Sequence, residues 1–263
     1  MTSARPPAAH GAATSAPRAW DADSYERVSG VQVAWARAVL DRLELRGDET
    51  VLDAGCGSGR VTRMLLERLP RGRVIAVDAD AEMVRHARGA LGESATVLRA
   101  DLVELELETR VDAVFSNAVF HWVLDHDRLF ERLRAALVTG GRMGAQCGGE
   151  GNIERFLSLV DGVTALSPFA DHLAGFRRTW LFAGPAETEE RLRRAGFAAA
   201  RAWLEPSDVT PDDPREFLRT VVLAVHLSRL PDELADPFLD AVLERCPAPL
   251  RLDYVRLNIE ARA

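Results

Sequence analysis

The chain has 263 residues, 47% of them hydrophobic, and a formal net charge of −7. This length predicts one large domain, and the acidic balance argues against a nucleic-acid-binding surface, which would need a basic stripe. No apolar run is long enough to span a membrane, and the three cysteines fit neither a disulfide framework nor a zinc site, so we expect a cytoplasmic protein without a metal.

The first twenty residues are rich in alanine, proline and serine, and they lack the continuous apolar core of a secretory signal. We interpret residues 1–20 as a flexible tail and residues 21–263 as a single domain. Apolar residues recur at helical spacing from Asp23 to Leu45, which predicts a helix ended by Gly47.

Strand and helix patterns then alternate for about a hundred residues, which form the predicted core at 48–149. Short apolar runs predict buried strands at 50–54, 73–79, 95–101, 111–119 and 141–147. Helices are predicted between them: one that Pro70 ends, one at 80–91 with Asp80 as N-cap, and one at 126–137 that Gly140 and Gly141 end. Strict alternation implies βαβ units and a parallel sheet with right-handed crossovers.

Helical patterns dominate the last third of the chain. They cover 151–178, 185–197, 213–229 and 232–245, and strands are expected at 198–204 and 250–261. We expect the helices within 21–46, 150–180 and 211–246 to form a cap over the carboxyl edge of the sheet.

The loop after the first predicted strand is the candidate ligand site. It lies in VLDAGCGSGR, residues 51–60, and parallel sheets bind ligands at the carboxyl ends of their strands. A dinucleotide fingerprint, G-x-G-x-x-G, fits Gly55 and Gly57 but has Arg60 at its third glycine position, which argues against a nicotinamide-dependent oxidoreductase. The loop alone leaves nucleotide and dinucleotide ligands open.

The stretch VLDAGCGSG resembles the first motif of the class I S-adenosylmethionine-dependent methyltransferases. Further motifs follow in the order of that family: VIAVDAD with Asp78, LRADL with Asp101, and VDAVFSNAVFHWV at the fourth strand. LRAALVTGGRM resembles the family's LxPGGxL turn, with Thr139 where proline is usual. The resemblance implies an α/β fold: a Rossmann-like, seven-stranded, mostly parallel sheet with helices on both faces, one antiparallel strand near the C-terminus, and a helical cap.

The resemblance also implies S-adenosylmethionine as cofactor. The residues that it implies for cofactor binding follow the first four strands: Asp53, Gly55, Cys56, Gly57, Asp78, Ala79, Met83, Asp101, Leu102, Asn117 and Trp122. Ionised Asp78 can accept hydrogen bonds from ribose hydroxyls, and Asp101 can accept one from the adenine amino group. Glycines let backbone N–H groups approach the methionine portion, and Asp53 is expected to orient the loop or the ammonium group.

Each of these residues also has a plain structural interpretation. Acids at strand ends often cap helices or form turns, which applies to Asp78 and Asp101. Met83 fits a simple core position, and Cys56 fits a small buried filler rather than a nucleophile.

Two residues are candidates for catalysis. His121 follows the fourth strand and has an unperturbed pKa near neutrality, so it is either a general base or part of the pocket wall. Tyr25 begins the N-terminal helix, which folds over the cofactor in the family, so it either closes the site or packs at the helix start.

Within the family, the chain is most similar to the trans-aconitate methyltransferase branch. This similarity is carried by SNAVFHWVLDHDRLFERLRAALVTGG, by the helix PAETEERLRRAGF and by the helical last third. That branch methylates carboxylates of small acids, which are ionised at neutral pH and need no base. Arg177, Arg178 and His226 are the candidate substrate ligands, and exposure to solvent is the alternative for both arginines.

We therefore expect methyl transfer to a small-molecule acceptor, with no nucleic acid or membrane partner and with a monomer or homodimer as the assembly. Two other functions stay open at this point. One is an O-, N- or C-methyltransferase of secondary metabolism, and the other is a non-catalytic module that binds S-adenosylmethionine.

Overall fold

The computed structural model describes residues 30–263, which form one seven-stranded sheet with surrounding helices. Its strands are β1 (Thr50–Ala54), β2 (Arg73–Asp78), β3 (Thr96–Arg99), β4 (Val111–Asn117), β5 (Leu137–Gly148), β6 (Ala199–Pro206) and β7 (Val255–Arg262). Their order in the sheet is β3-β2-β1-β4-β5-β7-β6, and β7 runs antiparallel to both of its neighbours. The predicted fold class is confirmed.

Ten α-helical segments lie among the described residues. They are α1 (Gly30–Leu43), α2 (Arg60–Arg68), α3 (Ala81–Leu91), α4 (His126–Ala136), α5 (Glu154–Thr164), α6 (Ala170–Leu173), α7 (Pro185–Arg194), α8 (Pro214–Phe217), α9 (Ala224–Leu227) and α10 (Asp232–Leu243). A π-helical turn, Leu218–Val222, follows α8. The predicted tail and Tyr25 lie outside the described residues. Within residues 30–263, no helix combines the length and apolar character needed to cross a bilayer.

Asp80 caps α3 as predicted. Its Oδ1 atom accepts hydrogen bonds from the backbone N–H groups of Glu82 and Met83, at 2.8 and 2.9 Å. Two of the N–H groups that a helix start leaves without partners are thereby satisfied. The cap fixes where α3 begins, directly after the end of β2.

The prediction that Gly140 and Gly141 end a helix was wrong. The helix ends at Ala136, and both glycines lie inside β5. Leu137 already pairs with Val111, and the register then shifts so that Arg142 faces Ala113. A Cβ atom on Gly141 would lie 2.9 Å from a backbone oxygen of the same bulge, so the glycine pair permits a bulge here rather than a helix end.

Three hydrophobic clusters hold these layers together. Neighbouring residues of β1 point to opposite faces of the sheet, with Val51 against α1 to α3 and Leu52 against α4 and α7. The third cluster lies outside the sheet and joins α5, α6, α8 and α10, with Val160, Leu218 and Phe238 at its centre. The last third of the chain therefore has a core of its own beside the carboxyl edge of the sheet.

Candidate functional site

A cavity of about 600 Å³ lies at the carboxyl ends of β1, β2 and β4. It is lined by every residue that the sequence predicts to bind the cofactor, from Asp53 to Trp122. The lining also includes Gln32 and Val33 of α1 and, from the last third of the chain, Thr179, Val225, Ser228 and Arg229. Side chains far apart in sequence thus meet in a space of the size that small-molecule ligands occupy.

The glycine loop is held by the end of β2. The carbonyl oxygen of Val77 accepts hydrogen bonds from the N–H groups of Gly55 (2.8 Å) and Cys56 (2.9 Å), and Oδ2 of Asp78 accepts one from Gly57 N–H (2.9 Å). These three N–H groups were expected to face a ligand, but they donate hydrogen bonds within the protein instead. The loop therefore keeps its shape without a ligand.

Gly55 and Gly57 are needed in the loop for different structural reasons. A Cβ atom on Gly55 would lie 2.2 Å from Val119, so a side chain there would collide with the packing beneath the loop. Gly57 has a φ of +55°, and a Cβ atom there would meet nothing within 4 Å. Gly57 therefore leaves open space beside a left-handed turn, where a ligand can approach the backbone.

The cavity is strongly acidic. Five aspartates and two arginines line it, which gives it a negative field suited to a cationic ligand. Asp78 is placed by the N–H groups of Gly57 and Asp80, both at 2.9 Å, while burial raises the pKa of its carboxyl. Asp101 is exposed and caps the short turn after β3, accepting from Val103 N–H at 3.1 Å, which is the structural role that the sequence left open for it.

Asp53 is the most buried acid of the cavity, at 1% exposure. Burial is the main cause that raises its pKa to about 7, and the nearby charge of Asp78 adds to this, whereas the hydroxyl of Thr62, which donates to Oδ2 at 2.7 Å, opposes it. An acid with this pKa changes its charge close to neutral pH. Burial likewise raises the pKa of the Cys56 thiol, so Cys56 stays neutral and serves as a small buried residue.

The turn after β4 forms a wall of the cavity. Asn117 Nδ2 donates to the backbone oxygen of Gln32 at 3.1 Å and so ties α1 to the sheet edge. Its buried Oδ1 accepts from no donor in the described part of the chain. Ala118 has a φ of +61°, a strained value for a residue with a side chain, and its N–H donates to Gln146 O at 2.7 Å.

His121 lines a second, smaller cavity rather than the large one. Its Nδ1 accepts from the backbone N–H of Gly148 at 3.3 Å, which leaves the proton on Nε2. Burial is the main cause that lowers its pKa to about 3, and the charge of Arg256 adds to this. At neutral pH His121 is therefore a neutral hydrogen-bond donor, which disfavours the general-base hypothesis.

The three predicted substrate ligands line neither cavity. Arg177 and Arg178 are exposed, and Arg178 pairs with Asp161 at 2.7 Å. His226 is buried in an aromatic cluster, with its ring centroid 4.3 Å from that of Phe176. Helical patterns alone did not show which way these side chains point.

Sequence reasoning missed Gln32, Thr62 and Arg256. The signal for Arg256 was present, because in the alternating pattern of the last strand Tyr254, Arg256 and Asn258 share one face. That face is buried in the structure, and Arg256 is 2% exposed. Among the described residues, no group of three or more histidine, cysteine, aspartate or glutamate side chains could hold a metal ion.

Comparison with known proteins gives methyltransferases among the matches. Residues 51–141 match the family described as "Methyltransferase domain". The chain is 39% identical to the trans-aconitate 2-methyltransferase of Azoarcus sp. (strain BH72) over 127 residues, which cover 48% of this chain and 50% of that protein. It is 31% identical to the trans-aconitate 2-methyltransferase of Methylobacterium nodulans over 194 residues, which cover 73% of this chain and 70% of that protein.

A solved structure shares the fold. Phosphoethanolamine N-methyltransferase 2 of Haemonchus contortus, in complex with S-adenosyl-L-methionine, superposes with a TM-score of 0.59 at 21% identity, over 92% of this chain and 56% of that one. The chain spans about half the length of several trans-aconitate 2-methyltransferases that it matches.

The two loop glycines provide a matched pair for a stability test. We expect Gly57→Ala to lower the free energy of unfolding by about 1–2 kcal/mol, because only its left-handed backbone is strained. Gly55→Ala should cost distinctly more, since its side chain also collides with Val119. Denaturant unfolding of both variants measures the difference, and equal losses would contradict the packing assigned to Gly55.

Proposed function

Because the chain belongs to the S-adenosylmethionine-dependent methyltransferases, in the branch of the trans-aconitate 2-methyltransferases, we propose that it transfers a methyl group from S-adenosylmethionine to the carboxylate of a small acid. The observation that carries the proposal is an acidic cavity that joins Asp53, Asp78 and Asp101 to the open space beside Gly57.

The residues of the cavity fit this cofactor. S-adenosylmethionine supplies a methyl group on a positively charged sulfur that leaves as a neutral thioether. An acidic lining stabilises such a cation, and the buried Oδ1 of Asn117 offers an acceptor to an ammonium group. Asp78 offers carboxylate lone pairs to a diol, while Met83 and Leu102 offer apolar surface to a flat base.

The remaining work of the protein is alignment and exclusion of water. The glycine loop is already fixed by β2, so binding costs little ordering of the backbone. α1, tied to the sheet edge through Asn117 and Gln32, covers one side of the cavity. These features support catalysis by proximity, in which two reactants are held in line.

The low pKa and the hydrogen bonding of His121 favour a carboxylate acceptor over a phenol or an amine. A phenol must lose a proton, but burial lowers the pKa of His121 to about 3, which makes it a weak base, and its Nδ1 atom already accepts a hydrogen bond. A carboxylate is already ionised at neutral pH and needs no base. The names of the relatives point to the same class of acceptor.

The direct test of the cofactor assignment is Asp78→Ala. Removal of both carboxylate oxygens should abolish measurable S-adenosylmethionine binding in calorimetry, because the loop anchor and the proposed ribose ligand are lost together. Asp48→Ala, an exposed acid before β1, is the control and should bind like the unchanged protein. Unchanged affinity of the Asp78 variant would overturn the assignment.

A screen of small acids, phenols and amines with labelled cofactor identifies the acceptor, and binding without transfer to any of them would indicate a non-catalytic module.

Asp53 should make cofactor binding depend on pH. Its pKa is raised to about 7, so the carboxyl is mostly neutral at pH 5.5 and half ionised at pH 7. Only the ionised form attracts a cation, and affinity should therefore rise roughly tenfold between these values. The range stays below the pKa of the ligand's amino group, near 8. Asp53→Asn keeps an acceptor for the Thr62 hydroxyl but cannot ionise, so the affinity of this variant should hardly change with pH. A roughly tenfold rise in the variant would show that another group causes the pH dependence.

His121→Asn tests whether a base is needed. Asparagine can still accept the hydrogen bond of Gly148 N–H but cannot act as a base. We expect kcat to fall by less than about tenfold, with the pH profile of the unchanged enzyme, whereas loss of a general base costs on the order of a hundredfold or more. A large loss together with a changed profile would favour a protonated acceptor, as in secondary metabolism.

A further inference from the structure

The second cavity lies directly beside the first. It encloses about 80 Å³, and Gln32, Ala118 and Trp122 line both cavities, so these residues form the wall between them. Aromatic side chains make up much of its lining: Trp35, Trp122, Trp180, Phe182, Phe217 and Tyr254. At roughly 30 Å³ for a water molecule, the space suits a carboxylate with two or three carbon atoms.

Arg256 is the cation of this cavity. It is 2% exposed, and its guanidinium carbon lies 4.0 Å from the ring centroid of Trp35. Its Nε donates to Gln146 Oε1 at 3.5 Å, and Gln146 Nε2 in turn donates to Asn258 Oδ1 at 2.7 Å. Stacking on one side and hydrogen bonding on the other fix the orientation of the guanidinium plane.

Two further polar side chains of the cavity, those of His121 and Trp180, can donate hydrogen bonds. Neutral His121 has its Nδ1 engaged and its proton on Nε2, and the buried Nε1–H of Trp180 has no acceptor among residues 30–263. No aspartate or glutamate of the described residues lines this cavity, whereas five aspartates line the large one. Two neighbouring cavities thus have opposite preferences, one for a cation and one for an anion.

We propose that the Arg256 cavity anchors one carboxylate of a di- or polycarboxylic acceptor, and that a second carboxylate of the same molecule reaches past Ala118 to the large cavity. This inference rests on the proposed function. A carboxylate paired with a guanidinium has its lone pairs engaged, which makes it an anchor rather than the nucleophile.

The chemistry of the second carboxylate is balanced without a base. One of its oxygen lone pairs forms the new O–CH₃ bond while the S–CH₃ bond breaks, and the electron pair of that bond stays on sulfur. The methylated carboxylate becomes a neutral ester group, and no proton is transferred. The anchored carboxylate keeps its charge throughout.

Binding of crotonate and of its neutral isostere crotonamide tests the anchor. The two probes have nearly the same shape and differ in the charge of the one end group that would bind Arg256. Calorimetry on the full chain, with and without saturating S-adenosylhomocysteine, should give crotonate roughly ten- to a hundredfold tighter binding. Arg256→Met should remove this preference, and Arg256→Lys should keep part of it because the charge remains.

The chain offers a matched control for Arg256. Arg201 also lies over a tryptophan, with its guanidinium carbon 4.7 Å from the ring centroid of Trp203, but it is exposed on β6 and lines neither cavity. Arg201→Met should keep the preference for crotonate. Trp180→Phe, which removes the Nε1–H together with part of the indole ring, should weaken crotonate binding by several-fold and crotonamide binding by less. These two variants and Arg256→Lys decide the question if Arg256→Met does not fold.

Three outcomes would overturn the anchor: no preference for crotonate in the unchanged protein, a preference that survives in Arg256→Met, or one that is lost in Arg229→Met instead. The last would place the carboxylate at the rim of the large cavity, which Arg229 lines. Failure of the proposed function would give a different result from failure of the anchor. S-adenosylhomocysteine would then not bind, while the preference for crotonate would still be measurable without it.

Discussion

The hydrogen bonds between the end of β2 and the glycine loop are the constraint on which the site depends. One carbonyl oxygen, that of Val77, holds the N–H groups of Gly55 and Cys56, and the next residue, Asp78, holds that of Gly57. The same contacts place the Asp78 carboxylate at the edge of the cavity. Strand pairing between β1 and β2 therefore fixes the loop, the acid and the open space between them in one step, before any ligand arrives.

The sequence predicted the parallel half of the sheet well because its signals are local. Most strands there are short runs followed by a helical turn, and β1 has the predicted bounds. The glycine pair before Arg142 was misread because glycine marks both helix ends and bulges, and only the pairing of Leu137 with Val111 distinguishes them. Such pairing joins distant residues and leaves no local pattern.

The same reason explains why the large cavity could be predicted from the sequence and the small cavity could not. The residues of the large cavity follow successive strands, so motif order is enough to bring them together, and the structure places all of them on one lining. The small cavity draws Trp35, His121, Trp180 and Arg256 from four distant parts of the chain. Its polar anchor lies on a strand whose neighbours, β5 and β6, are more than fifty residues apart in sequence.

The position of β7 also bears on how the molecule forms during synthesis. β7 enters between β5 and β6, which precede it in the chain, so β6 has no strand partner until residues 255–262 have emerged from the ribosome. β1 to β5 can pair earlier and carry most of the large cavity with them. Most of the large, acidic cavity is thus built first. The small cavity is completed when the last strand, which carries Arg256, closes the sheet.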